Sequence, residues 1–152
     1  MAKLYKPHMM MPLIDAQHSF YEGLTAYHFA RQHPNENDEW MNLGERAICD
    51  YRMLASHSTW NWENKLFLLE AERHVCKGEL DEAESKYIAA IESAHNHRFV
   101  HEAGLANELL SAFFTKNAKF DKAKHHLSEA RACYEKWGAY AILDRLSPSD
   151  AA

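Results

Sequence analysis

The stretch KGELDEAESKYIAAIESA, Lys77 to Ala94, decides the fold. Its composition is strongly helical, and it sets Ala83 and Ala90 seven residues apart with Tyr87 between them. Seven residues are two helical turns, so the alanines share one stripe. Small residues there let a neighbouring helix approach closely, and the large residue between them fills the neighbour's groove. Forty residues on, FDKAKHHLSEAR (Phe120–Arg131) repeats the pattern. Leu80 falls on Phe120, Asp81 on Asp121, Ala83 on Ala123, Tyr87 on Leu127 and Ala90 on Ala130. Forty-three residues earlier, DEWMNLGERA (Asp38–Ala47) echoes it loosely, with Trp40 at the Ala83 position and Gly44 at the Tyr87 position. Each aspartate reads as a helix opener, able to accept free amide bonds and to favour the positive dipole end.

Outward from these segments the chain reads as helices in pairs. Leu13–His33 carries Phe20, Leu24, Tyr27 and Ala30 near helical spacing, and Pro34 disfavours helix at His33. A second helix places Trp40, Leu43, Ala47, Ile48, Tyr51 and Leu54 on one side. A third starts after SHSTWN, where Thr59 or Asn61 suits a cap, and ends at Gly78, suited to the left-handed position past a helix. Helices follow over about Leu80–His95, Phe99–Asn117 and Phe120–Trp137, then a short one over AYAILDRL after Gly138. Five Gly and four Pro in 152 residues favour long helices over a turn-rich β fold. The expected organisation is a loose arm over 1–12, one helical domain over 13–146 and a tail over 147–152.

Net charge is −5 and the isoelectric point about 6.1, so no global basic field draws nucleic acid or anionic lipid. Nothing approaches the ~20 apolar residues of a membrane span. Three widely spaced cysteines, Cys49, Cys76 and Cys133, fit buried thiols in a reducing compartment. The expectation is a cytoplasmic protein with no nucleic-acid or membrane partner and no cofactor.

Helix–turn–helix units that repeat are the mark of stacked solenoids. From Asn64, the residues Ala71, Gly78, Leu80, Ala83, Tyr87 and Ala90 stand where the tetratricopeptide repeat (TPR) has its small, glycine, aromatic and alanine positions. From Gly104, so do Leu110, Ser111, Phe114, Phe120, Ala123 and Ala130. The chain resembles that family, which implies an all-α, TPR-like solenoid of about three hairpins with a short C-terminal capping helix. It departs in period, 40 and 43 here against ~34, in Trp40 at a small position, and in His74 where an aromatic is usual. FYEGL, NWENKLFLLEAE, HEAGLANELL and ARACYEKWGA are also similar to the helical-repeat segment of large multidomain signalling proteins. There the segment lies between a STAND-type ATPase module and GAF or histidine-kinase modules, and the resemblance implies a scaffold or coupling element. Neither a P-loop stretch nor a kinase glycine loop is present.

Several residues invite chemistry. His97, His101 and Glu102 have spacing that a metal-dependent enzyme uses; a solvated helix start is the plainer reading. His125 and His126 are adjacent, so they point apart and read as surface. Cys76 beside His74 reads as a buried structural thiol. Glu70, Glu72, Glu102 and Glu108 could act as acid and base in a cleft, or bond to nearby cations and helix ends, which is favoured. Trp40, Trp60, Trp62 and Trp137, with Tyr87 and Phe114, read as packing residues before stacking platforms, with Trp60 the best candidate for exposure.

In stacked hairpins the first helix of each pair lines the concave surface. That surface is expected to present Lys65, Leu68, Glu72, Val75 and Cys76 from one unit and Leu105, Glu108, Ala112, Thr115 and Lys116 from the next. It mixes apolar residues with both charge signs and lacks a cluster of cations to clamp a terminal carboxylate. An amphipathic or mildly basic helix, held by apolar anchors plus Glu72 and Glu108, is the expected ligand, with Met9, Met10 and Met11 of the arm as an internal alternative occupant. The functional expectation is a non-enzymatic protein–protein interaction or scaffold module of signalling type. The alternatives are a self-assembling structural module and a metal-dependent enzyme.

Overall fold

The computed structural model describes residues 12–33, 35 and 37–146, with side chains from Asp15 onward. The arm expected over 1–12 lies outside these residues except Pro12, and the tail over 147–152 lies outside them entirely. Seven helices make up the described chain: α1 (Pro12–Gln32), α2 (Asn37–His57), α3 (Thr59–Lys77), α4 (Leu80–Asn96), α5 (Val100–Lys116), α6 (Phe120–Trp137) and α7 (Tyr140–Leu146). Among the described residues there is no strand, so the fold is all-α. Pro12 belongs to α1 rather than the arm, at a first-turn position where its missing N–H costs nothing.

The links show why the helices stop. Gly78 takes φ 75° past α3, while Glu79 N–H reaches the His74 carbonyl at 3.0 Å. Forty residues on, Ala118 takes φ 56° and Lys119 N–H reaches the Phe114 carbonyl at 2.9 Å. The next pair of links repeats likewise. Arg98 (φ 63°) and Gly138 (φ 81°) are 40 apart, and so are the bonds from Phe99 to Ala94 and from Ala139 to Tyr134, both 2.9 Å. The periodicity seen in the alanines therefore extends to the backbone of the turns.

The helix starts correct the sequence reading. Asp81 and Asp121 are second residues of their helices; the residues before those helices, Glu79 and Lys119, make no side-chain cap. The aspartates therefore act through the helix dipole alone. Neither Thr59 nor Asn61 caps α3: Ser58 precedes it in an extended conformation, and Asn61 Nδ2 donates to Ser58 Oγ at 3.1 Å.

α1 packs on α2, α3 on α4 and α5 on α6, and the short links make each pair antiparallel. α3 also packs against α1 and α2, and α5 against α4 and, lightly, α3; α7 lies on α6. The seams are small residues facing rings. Ala83, Ala90, Ala123 and Ala130 are all buried. A Cβ on Gly44 would stand 2.6 Å from Tyr27 Cε1, and one on Gly104 would stand 2.9 Å from Tyr134 Cε1. So α2 carries a glycine where α4 carries Tyr87, and α1 supplies the ring instead. Trp40, at the Ala83 position, stacks on Phe29 with ring centres 5.1 Å apart. A main core runs through Phe20, Tyr27, Ile48, Tyr51, Leu69, Tyr87, Leu110 and Phe114, with a satellite of Ala94, Ala103 and Cys133.

Ala83→Leu or Ala123→Leu is expected to cost roughly 1–3 kcal/mol by overfilling a seam, read as a lower urea midpoint; an unchanged midpoint would place these residues outside the contacts. Ala118→Gly is expected to gain about 1 kcal/mol, because a left-handed residue with a Cβ is strained where glycine is not. Thermal unfolding of that variant checks it.

Candidate functional site

α1, α3, α4 and α5 leave an open groove of about 480 Å³ between them. Its walls are Val75, Leu80, Leu109, Ala112 and Phe113, and its polar groups are His28, Arg31, Glu72, Tyr87, Lys116 and Asn117. The groove is apolar over most of its surface, as ligand grooves are.

Glu72 is pinned from two sides. Arg31 Nη2 of α1 lies 2.7 Å from its Oε2, and the Tyr87 hydroxyl of α4 donates to its Oε1. Burial, then the Glu72 charge, push the Tyr87 phenol well up, so it stays a donor. Burial alone would lower Arg31, but Glu72 outweighs it and holds the guanidinium above its ordinary value. Among the described residues the second terminal nitrogen of Arg31, Nη1, has only the sulfur of Cys76 at 3.6 Å, a weak acceptor. The Cys76 thiol donates to the Tyr27 carbonyl at 3.3 Å, and burial pushes its pKa up, against Arg31. A thiol held protonated is a structural group rather than a nucleophile.

The other three carboxylates are held in the same way, each between helices. Glu70 of α3 receives Arg52 of α2 at 2.9 Å and Lys86 of α4 at 2.7 Å. Burial would raise its pKa, but these two bonds hold it below the ordinary carboxylate range. Glu102 of α5 takes Lys65 of α3 at 2.5 Å, with both side chains under a tenth exposed, and also accepts from Asn64 Nδ2. Glu108 of α5 accepts from Tyr134 of α6 at 2.8 Å and from Arg145 of α7 at 2.7 Å.

The residues expected on a concave face thus fall into separate places. Glu72, Val75, Ala112 and Lys116 line the groove. Lys65 and Leu68 are buried, Lys65 in its pair with Glu102. Leu105 packs against the core, Glu108 turns to α6 and α7, and Thr115 is exposed with its hydroxyl on the Ser111 carbonyl at 2.9 Å. Sequence reasoning missed His28, Arg31, Leu80, Leu109 and Phe113. Carrying the repeat back 43 residues from Glu72 lands on Phe29, two positions from Arg31, so the spacing did not point to it.

The histidines separate too. His97 lies in the α4–α5 link with its ring centre 4.4 Å from that of Trp60, itself 58% exposed. His101 stacks on Trp137 at 4.9 Å and approaches Glu102 to 3.4 Å. Among the described residues no three His, Cys, Asp or Glu side chains are grouped to hold a metal. His126 is not a plain surface residue. Its Nδ1 bonds Asn107 Oδ1 at 2.8 Å and its ring packs on Phe114 at 5.5 Å. Burial, then His125, push its pKa below 6.5.

No protein-family model matches the chain, and neither a curated protein nor a solved structure matches it. Among the described residues no helix is long and apolar enough to cross a membrane.

A depressed histidine pKa means that the unfolded chain binds the proton first as pH falls. His126 therefore costs stability as pH drops through 6.5 toward its lower folded value. His126→Gln is expected to lose less melting temperature between about pH 7.5 and 5 than the parent does; parallel curves would assign the pH dependence elsewhere.

Proposed function

We propose that this chain is a non-enzymatic helical-repeat module, a TPR-like solenoid of three hairpins closed by α7, that binds a segment of another protein in the groove between α1, α3, α4 and α5. The observation that carries the reading is the groove itself: open, apolar-walled, and bordered by first helices of successive pairs. The 40-residue recurrence of the turns supports the repeat reading, since each hairpin then presents corresponding positions to one side. The pairing of Glu70, Glu72, Glu102 and Glu108 with cations and phenols favours structure over acid–base chemistry for those carboxylates. A cytoplasmic scaffold role in signalling, coupling modules through a bound segment, belongs to the same proposal.

Ala112 is exposed on the groove wall, so a large side chain there fills the groove without disturbing the core. On an array of amphipathic peptides, the parent is expected to capture a subset that Ala112→Trp releases, with the melting temperature unchanged. Equal capture by both proteins, or no capture by the parent, would overturn the proposal.

A further inference from the structure

The charges of the groove do not match those of the chain. The protein carries a net −5, yet the one carboxylate lining the groove among the described residues, Glu72, is already neutralised by Arg31 and bonded by Tyr87. Glu108, the other carboxylate expected to meet a cationic ligand, is turned away to Tyr134 and Arg145. What remains uncompensated is positive. Lys116, at the end of α5, is exposed and makes no ion pair with any described residue. Across the groove, the Arg31 charge is matched by Glu72, while its Nη1 has among the described residues only the Cys76 sulfur at 3.6 Å and keeps donor capacity. His28, one turn before Arg31, adds a further nitrogen-bearing ring to the same lip.

We propose that the segment this groove accepts is apolar and carries an acidic side chain that meets Lys116. The inference rests on the groove being a docking site and adds the sign of the partner's charge. A cationic segment would bring its charge against Lys116 with no free carboxylate to answer it. An acidic one gains a charge-assisted bond at the mouth of an apolar cleft, where screening by water is reduced. The commitment is to a side-chain carboxylate within the segment. The rest of the contact comes from burial of its apolar residues against Val75, Leu109 and Phe113.

The test uses one amphipathic host peptide, blocked at both ends and chosen from those the parent captures and Ala112→Trp releases. One position is varied among Glu, Gln and Lys along its length, and fluorescence polarisation reads affinity. At one register the Glu peptide is expected to bind about tenfold tighter than Gln, with Lys weakest, and the preference shrinks in high salt. Lys116→Glu is expected to reverse the order while leaving the melting temperature unchanged. If Glu, Gln and Lys peptides bind alike at every register, the groove stands as a docking site and the acidic partner falls. A Lys preference overturns it too. If only a host with an unblocked C-terminus binds, the carboxylate read is terminal and the side-chain assignment fails. If no peptide meets the Ala112→Trp criterion, both readings fall together.

Discussion

Two helices approach only as closely as the side chains between them permit, and that spacing sets everything else in this protein. The contacts are built from a small residue on one helix and a ring on the other. Gly44 takes Tyr27 and Gly104 takes Tyr134, while Tyr87 sits in a core with Ala71, Ala83 and Ala90. The identity of the large partner is free to move from one helix to the other, because only the sum of the two volumes is constrained. That is why the first pair tolerates a tryptophan where the second has an alanine: Trp40 finds a stacking partner in Phe29 near the end of the seam rather than at its centre.

Close spacing alone leaves helices free to slide, and the carboxylates remove that freedom. Glu70, Glu72, Glu102 and Glu108 each have partners on another helix, and three of the four bridge two others. A buried charge that loses its partner carries the full desolvation penalty, so a slip of one turn is far costlier than the native pair is favourable. The cations and phenols thus act on register more than on net stability. Lys65 with Glu102 is the clearest case, since neither side chain has enough water contact to tolerate separation.

The all-α helix order was legible because small-residue spacing is a local property of sequence. Ala83, Ala90, Ala123 and Ala130 recur at fixed positions, and Gly78 and Gly138 mark two of the turns. The other two turns were hidden: Ala118 and Arg98 adopt the same left-handed backbone without the glycine that advertises it. The aspartates misled because an acidic residue near a helix start stabilises it either as a cap or through the dipole, and composition does not separate the two. The groove was half legible. Helical spacing gave which residues share the face of α3 and α5, hence Glu72, Val75, Ala112 and Lys116. It did not give which charges are already spent. Glu72 meets Arg31 from 41 positions earlier, and Glu108 meets Arg145 from 37 later; such pairings depend on how whole helices cross.

That accounting changes what the surface offers. Read as a list, the two helices present both signs of charge and suit a basic ligand. Once the intramolecular pairs are drawn, the acidic members are turned inward as pins and Lys116 is the groove charge left unmatched among the described residues. The same side chain cannot both lock two helices in register and anchor a ligand at full strength, because a carboxylate bonded on both oxygens has little further attraction to give. In this molecule structural need claims the carboxylates first. On the proposed docking role, recognition would fall to the apolar walls for affinity and to Lys116 for the sign of what enters.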